Sequence, residues 1–393
     1  MFLRILQALL AACLAGQGAL LGLEAPDGPG VAPAPYILGT LARHRVVILG
    51  EFHWVRHDAE LVRDLVGDLR GAGVRHLAVE VFPASEQGRI NRILAAPEWR
   101  EGEAMAVLRA GAWPYRSYLQ ILRAAWEANR GLGPKEPGLG VLALGPSEDW
   151  RETLLPLGRT YDSFMADLVT EAAKGGRVLV YCGINHGFTR FQQPEMPRGN
   201  RVEAFMDRMG NMLRRRLGEQ VFLVMLHRPW QRREQGIWTY GLPLDGALDC
   251  ALDGGPPRGF DVVGSPWAER RVSPDHYYAM GHPGLRLMDL TDGYVWSGPL
   301  ESFRTAGLIP LEDFAPDEAA LREVLGRNPF SDQRGLGPGD LKRLWEEERA
   351  RGEDFLSKFR MEGLRGWRAG CGPKAPPGGG STRGALRPPL DRP

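Results

Sequence analysis

The sequence predicts an α/β fold: a mostly parallel sheet with helices on both faces and a site at the carboxyl ends of the strands. Three observations predict it. Short, wholly apolar, β-branched runs recur along the chain, amphipathic helical stretches alternate with them, and polar residues able to do chemistry follow the runs rather than interrupt them. With 393 residues, 43% hydrophobic and 25% charged, the composition is that of a folded globular protein. Its 49 basic and 48 acidic residues leave a net charge of +1, so there is no field to hold a polyanion and a nucleic-acid partner is not expected.

Taken in order, the opening MFLRILQALLAACLAGQGALLGL carries a positive charge at Arg4 and no further charge until Glu24. Residues 1–23 therefore read as a leader, diluted by Gly and Gln in a way that suits a removable signal better than a permanent span. Within it, Leu10-Ala11-Ala12-Cys13 resembles the lipobox of bacterial lipoproteins, which makes Cys13 a candidate lipidation site; the plain alternative is a chance cysteine in an Ala/Leu-rich stretch. Residues 24–35 (EAPDGPGVAPAP) read as a linker.

One domain is expected over 36–345, with its core motifs in 45–227 and a C-terminal extension in 260–345. Arg45 to Leu49 is a buried parallel strand, ended by Gly50. Leu61, Val62, Leu65, Val66 and Leu69 then recur at helical spacing up to Gly71-Ala72-Gly73, and His76 to Val79 is the second strand of a β-α-β unit. The rhythm continues with helices near Ser85–Ala95 and Tyr115–Asn129, a strand at Gly140–Leu144, a helix at Tyr161–Lys174 and a strand at Arg177–Tyr181. A helix at Arg201–Leu217, a strand at Gln220–Leu226, and a turn and strand in Arg286–Trp296 follow. Residues 346–369 are expected as a helix. Residues 370–393, rich in Gly, Pro and Arg, are expected as a disordered tail. Cys182 reads as a core residue, whereas Cys250 and Cys371 have no assigned place; no C-x-x-C pair points to zinc.

The chemistry lies at the strand ends. The first strand runs into Gly50-Glu51-Phe52-His53, the second ends at Glu80, and the Arg177–Tyr181 strand leads to Gly183-Ile184-Asn185-His186-Gly187. Glu51, His53, Glu80 and His186 are thus expected at one edge of the sheet, as catalytic residues or as ligands of a divalent metal. Imidazole and carboxylate together hold a metal that activates water; without one, a carboxylate-oriented histidine takes the proton from water itself. Either route ends in hydrolysis of an ester or amide. The plain alternative is that each residue caps its own strand.

His57 and His227 are candidate pocket-lining residues, the first four positions beyond His53 and the second just after an apolar strand. Met206, Met209 and Leu213 at helical spacing read as one buried helix face.

These motifs carry a family resemblance. LGEFH at Leu49–His53, AVEVF at Ala78–Phe82 and YCGINHG at Tyr181–Gly187 resemble the signature of the superfamily that joins erythromycin esterases, TIKI proteases and ChaN haem-binding lipoproteins. Trp113-Pro114-Tyr115, the Gly140 strand and Asp292-Gly293-Tyr294-Val295 are most similar to the ChaN branch. The resemblance implies an exported, periplasmic or outer-membrane lipoprotein associated with haem or iron uptake. Its ligand would be haem or another small molecule, and the membrane would be met only through the leader or a lipid anchor. Haem and a divalent metal stay open as cofactors, with Tyr115, Tyr118, Tyr181 and Tyr294 as candidate haem-facing phenols among which no spacing rule chooses, and a homodimer is left open. Trp54-Val55-Arg56-His57 and Gly145-Pro146-Ser147 depart from the family pattern.

Overall fold

The computed structural model describes residues 30–133, 136–146, 150–196, 201–327 and 337–365. The leader with Cys13, the start of the linker, Ser147, Cys371 and the tail lie outside the described residues. Among the described residues no helix is long and apolar enough to cross a membrane.

In chain order the elements are α1 (Pro33–Arg43), β1 (Val46–Glu51), α2 (Arg56–Leu69), β2 (Val74–Pro83), α3 (Gln87–Ala95), α4 (Glu101–Gly111), α5 (Arg116–Asn129) and β3 (Gly140–Gly145). Then come α6 (Trp150–Leu154), α7 (Tyr161–Gly175), β4 (Arg177–Gly183), α8 (Ile184–Gly187), β5 (Gln193–Glu195), β6 (Ala204–Met206), α9 (Met209–Leu217) and β7 (Val221–Leu226). The last third holds β8 (Trp230–Glu234), β9 (Ile237–Gly241), α10 (Ala247–Leu252), β10 (Arg258–Asp261), α11 (Leu287–Leu290) and β11 (Gly293–Trp296). It ends in α12 (Leu311–Phe314), α13 (Glu318–Arg327), α14 (Pro338–Ala350) and α15 (Phe355–Lys358).

Seven strands form one sheet in the order β10-β11-β7-β1-β4-β2-β3. All neighbours pair parallel except the edge pair β10–β11. Successive side chains of a strand face opposite sides, and β1 uses both sides for core. Val47 and Leu49 join one apolar cluster with α2, α4 and α5, while Val46 and Ile48 join the other with α7, α9 and α10. Burial on both faces is what an uninterrupted apolar run requires, so the expected two-sided α/β sheet is the observed one.

From β1 the chain moves toward β2 on one side, and from β4 it moves to β7 on the other. β1 and β4 therefore flank the point where the winding reverses, which is where open α/β sheets place their ligands. A third apolar cluster lies beyond this edge, where Phe52, Val55, Leu300 and Phe303 pack with Phe355, Leu356 and Met361 from the chain's last described turn.

Several boundaries differ from the sequence reading. α9 begins at Met209, not Arg201, because Ala204–Met206 pairs as β6 with β5 and the Arg208 N–H donates to Asn211 Oδ1 at 2.8 Å, capping the helix there. Met206 is accordingly a strand residue, while Met209 and Leu213 are buried as expected. The linker gives way to α1 at Pro33, whose ring suits a first helical turn. The expected helix over 346–369 is broken within its described part, 346–365: α14 ends at Ala350, Gly352 takes φ +64°, and Asp354 caps α15 by accepting from the Leu356 and Ser357 N–H groups. The β8–β9 hairpin, α4 and β10 were not foreseen.

Candidate active site

Glu51 closes β1, Glu80 stands near the end of β2, and Gly183 closes β4 before the α8 turn that carries His186. The parallel register sets Glu51 opposite Gly183, so the two histidine motifs meet across the β1–β4 pair. His53 Nδ1 lies 2.9 Å from Glu51 Oε1. The other Glu51 oxygen accepts from the Tyr181 hydroxyl. His186 Nδ1 lies 2.7 Å from Asp162 Oδ1, in the first turn of α7. A carboxylate can only accept, so in both rings the proton belongs on Nδ1 and Nε2 is left for chemistry.

The two free nitrogens converge on one atom. Glu80 Oε1 is 3.3 Å from His186 Nε2 and 4.0 Å from His53 Nε2, while Glu80 Oε2 accepts from the Gly183 N–H at 2.7 Å. The four expected residues are therefore assembled around a single carboxylate. Gly183 is required for this approach, because a Cβ there would sit 2.8 Å from His53 Nε2.

Burial opposes the charge on His53, but the hydrogen bond and charge of Glu51, with the charge of Glu80, outweigh it and the opposing Arg228, so the ring is held above its ordinary value. For His186, burial is likewise overcome by the charge of Glu80 and by Asp162, against Arg208. Asp162 is itself held below the usual carboxylate range: burial would raise it, but His186, the Met209 N–H and Arg208 prevail. One wall of the site is aromatic, with the Trp113 ring 4.9 Å from His53 and Trp54 5.8 Å from each of them. Trp54 adopts φ +75° and its N–H donates to Tyr118 Oη at 2.9 Å, so a hydrogen bond holds the left-handed backbone.

His57 and His227 do not line the cluster. His227 is fully buried, with Nδ1 2.7 Å from Tyr294 Oη and Nε2 2.9 Å from Asp249 Oδ1, so both ring nitrogens are occupied. His57 packs on Phe303, ring centres 4.2 Å apart, and burial together with the His227 charge pushes it down to about 3. Beside it Asp58 is fully buried, with neither carboxyl oxygen hydrogen-bonded. Burial and then Glu51 push this carboxyl well above its ordinary range, against Arg228.

A folded-state carboxyl held high stays protonated while its unfolded counterpart ionises. Stability is therefore lost as pH climbs above the unfolded carboxyl value, by up to about 1.4 kcal/mol per pH unit. Asp58→Asn keeps the shape and removes the ionisation. Its unfolding midpoint in denaturant is expected to exceed that of the wild type at pH 8, with the gain shrinking toward pH 4; parallel pH dependences would contradict this.

Two cofactors can be tested against these residues. Among the described residues no group of three or more His, Cys, Asp or Glu is placed to hold a metal ion. Glu51 in particular has both oxygens engaged, by His53 and Tyr181. The four tyrosines do not fit as haem ligands either. Each is buried, and each hydroxyl is used: Tyr115 by Lys358, Tyr118 by the Trp54 N–H, Tyr181 by Glu51 and Tyr294 by His227. What remains partly open to a ligand is the pair of imidazoles.

Sequence reasoning missed Asp162, Asp58, Arg228 and the Trp54–Trp113 wall. The Thr160–Ser163 capping box, which fixes the start of α7, was the one local signal near Asp162.

A family model described as haem-binding uptake, Tiki superfamily, ChaN matches residues 37–158. That stretch contains Glu51, His53 and Glu80 and stops before His186, and over it the resemblance read from LGEFH and AVEVF is shown. None of the curated proteins matches the chain. Among solved structures, a succinoglycan biosynthesis protein is similar at 12% identity over 67% of this chain and 89% of its own, with a TM-score of 0.47. The type III effector HopBA1 is similar at 15% identity over 69% and 96%, TM-score 0.37. ChaN of Campylobacter jejuni, solved with cofacial heme, is similar at 13% identity over 49% and 85%, TM-score 0.33.

Proposed function

We propose that this chain, whose residues 37–158 match the ChaN haem-binding uptake family, hydrolyses an ester or amide bond of a small molecule at the Glu51, His53, Glu80 and His186 cluster. The observation that carries the reading is the shared Glu80 oxygen faced by two imidazole nitrogens, each ring backed by its own carboxylate. Two titrating groups coupled through one charge lose their protons in two steps. Between those steps one ring is neutral and the other charged. The neutral Nε2 takes a proton from water as the water oxygen bonds to the carbonyl carbon. The carbon–oxygen or carbon–nitrogen bond then breaks, and the leaving group takes the proton of the charged ring. Glu80 holds the pair in this mixed state.

Because both rings are held above the ordinary imidazole value of 6.5, hydrolysis is expected to follow a bell-shaped pH profile with both limbs above 6.5. A panel of aryl esters and N-acyl amides, assayed from pH 5 to 10, checks this. Turnover surviving undiminished in both His53→Ala and His186→Ala would overturn the assignment.

Haem binding is a second reading, favoured by the family match. Its iron would be held by the Nε2 atoms of His53 or His186, since the four tyrosine hydroxyls are engaged. Added haemin would then give a Soret band that is lost when His53→Ala and His186→Ala are combined and kept in Tyr181→Phe. Export through the N-terminal leader, with lipid attachment at Cys13, accompanies either reading. The uncharged stretch after Arg4 supports it, as does the lipobox-like Leu10-Ala11-Ala12-Cys13.

A further inference from the structure

Arg228 follows β7, the strand paired with β1 on the side away from β4. Its place, two residues past the strand end, puts it on the edge of the sheet where β1 delivers Glu51 and His53. The residue is 6% exposed. A buried guanidinium ordinarily has a carboxylate beside it, because an uncompensated charge taken out of water is costly. Arg228 has none: among the described residues it makes no ion pair, and its hydrogen bonding is a single 3.3 Å contact from Nε to its neighbour's carbonyl, Pro229 O. The guanidinium carbon sits 5.0 Å from the centre of the Phe52 ring, a cation–π contact that fixes the group and leaves its terminal N–H donors unspent.

Arg228 also acts electrostatically on the site, its charge opposing that of His53. Its field reaches Asp58 too, but that carboxyl is buried without a hydrogen bond and forms no ion pair with it. No internal anion therefore completes the arginine, and the partner has to come from outside the chain.

We propose that Arg228, seated on Phe52, is the anion subsite of this centre, and that it binds a carboxylate carried by the small-molecule substrate next to the bond presented to His53 and His186. The planar fork of an arginine matches a carboxylate in two parallel hydrogen bonds. A carboxylate bound there orients the substrate across the β7–β1 edge and completes the buried cation. The substrate class is then an ester or amide bearing a free carboxylate, and this part rests on the hydrolytic reading above.

Matched probes test it: the 4-nitrophenyl monoester of glutaric acid against 4-nitrophenyl valerate, with glutarate itself titrated calorimetrically. The wild type is expected to favour the carboxylated ester in kcat/KM by about tenfold or more, the scale of a charge-assisted hydrogen-bonded pair. In Arg228→Gln the ratio should collapse toward one and glutarate binding should weaken by at least about tenfold, with Arg228→Lys intermediate. If Arg228→Gln does not fold, the wild-type ratio, glutarate affinity and the lysine variant decide. Ester hydrolysis without carboxylate preference and without glutarate binding overturns the subsite and leaves the hydrolytic reading standing. Glutarate binding that depends on Arg228, without hydrolysis of any ester, overturns the hydrolytic reading and leaves the subsite.

Discussion

Glu80→Gln is expected to lower kcat on the best ester by about 10²–10⁴-fold, the range associated with losing acid–base catalysis, while the protein stays folded. The isostere can still accept from the Gly183 N–H through its amide oxygen, so the β2–β4 junction has what it needs. Its amide nitrogen would then face the two imidazoles in place of Glu80 Oε1, which lies 3.3 Å from His186 Nε2 and 4.0 Å from His53 Nε2. A donor there cannot hold a proton on either ring. Both rings lose part of what raises them, and the window with one charged and one neutral ring narrows. The deficit should appear in kcat more than in KM, because Glu80 is assigned to proton handling and not to substrate binding. A loss of less than a few-fold in kcat would show that Glu80 merely anchors Gly183.

Gly210→Ala carries the largest expected cost in stability. Gly210 lies in the first turn of α9, where a Cβ would sit 2.2 Å from Gly187 O and 2.5 Å from Phe188 O. Both are backbone atoms, so no side chain can swing away, and Phe188 is fixed by ring contacts with Phe191 and Tyr278. Overpacking of this kind costs about 1–3 kcal/mol, and rigid backbone on both sides places this case at the upper end. The clash also pushes on the turn that carries His186, so activity should fall together with the denaturation midpoint. An unchanged midpoint would mean that the α8–α9 packing is looser than described.

The sheet and half of the site were legible because both are local in sequence. Apolar runs such as Val46–Leu49 and Val178–Tyr181 can only be buried on both sides, and the polar residues that follow them must then come out at one edge. That logic brings Glu51, His53, Glu80 and His186 together without any knowledge of tertiary contacts. What escaped depends on packing between distant segments. Asp162 reaches His186 from 24 positions upstream, in a helix whose amphipathic pattern gives no reason to single it out. Arg228 looks like any other residue after a strand until Phe52 is placed beneath it.

The histidines after β1 and β7 also misled in an instructive way. His57 and His227 occupy the right stretch of sequence, but the aromatic cluster of Phe303 and Trp296 closes over His227, and Tyr294 and Asp249 consume its nitrogens. Nor could periodicity reveal that residues 355–361 return to cover Phe52, since their partners Leu242, Leu300 and Phe303 lie 50 or more residues away.

The central claim, that one carboxylate couples two raised imidazoles at the carboxyl edge of the sheet, is tested most directly by following the imidazole ¹⁵N shifts of His53 and His186 from pH 5 to 10. The wild type should show both midpoints above 6.5, and both should move down in Glu80→Gln. Midpoints at or below 6.5 that ignore the substitution would contradict the claim.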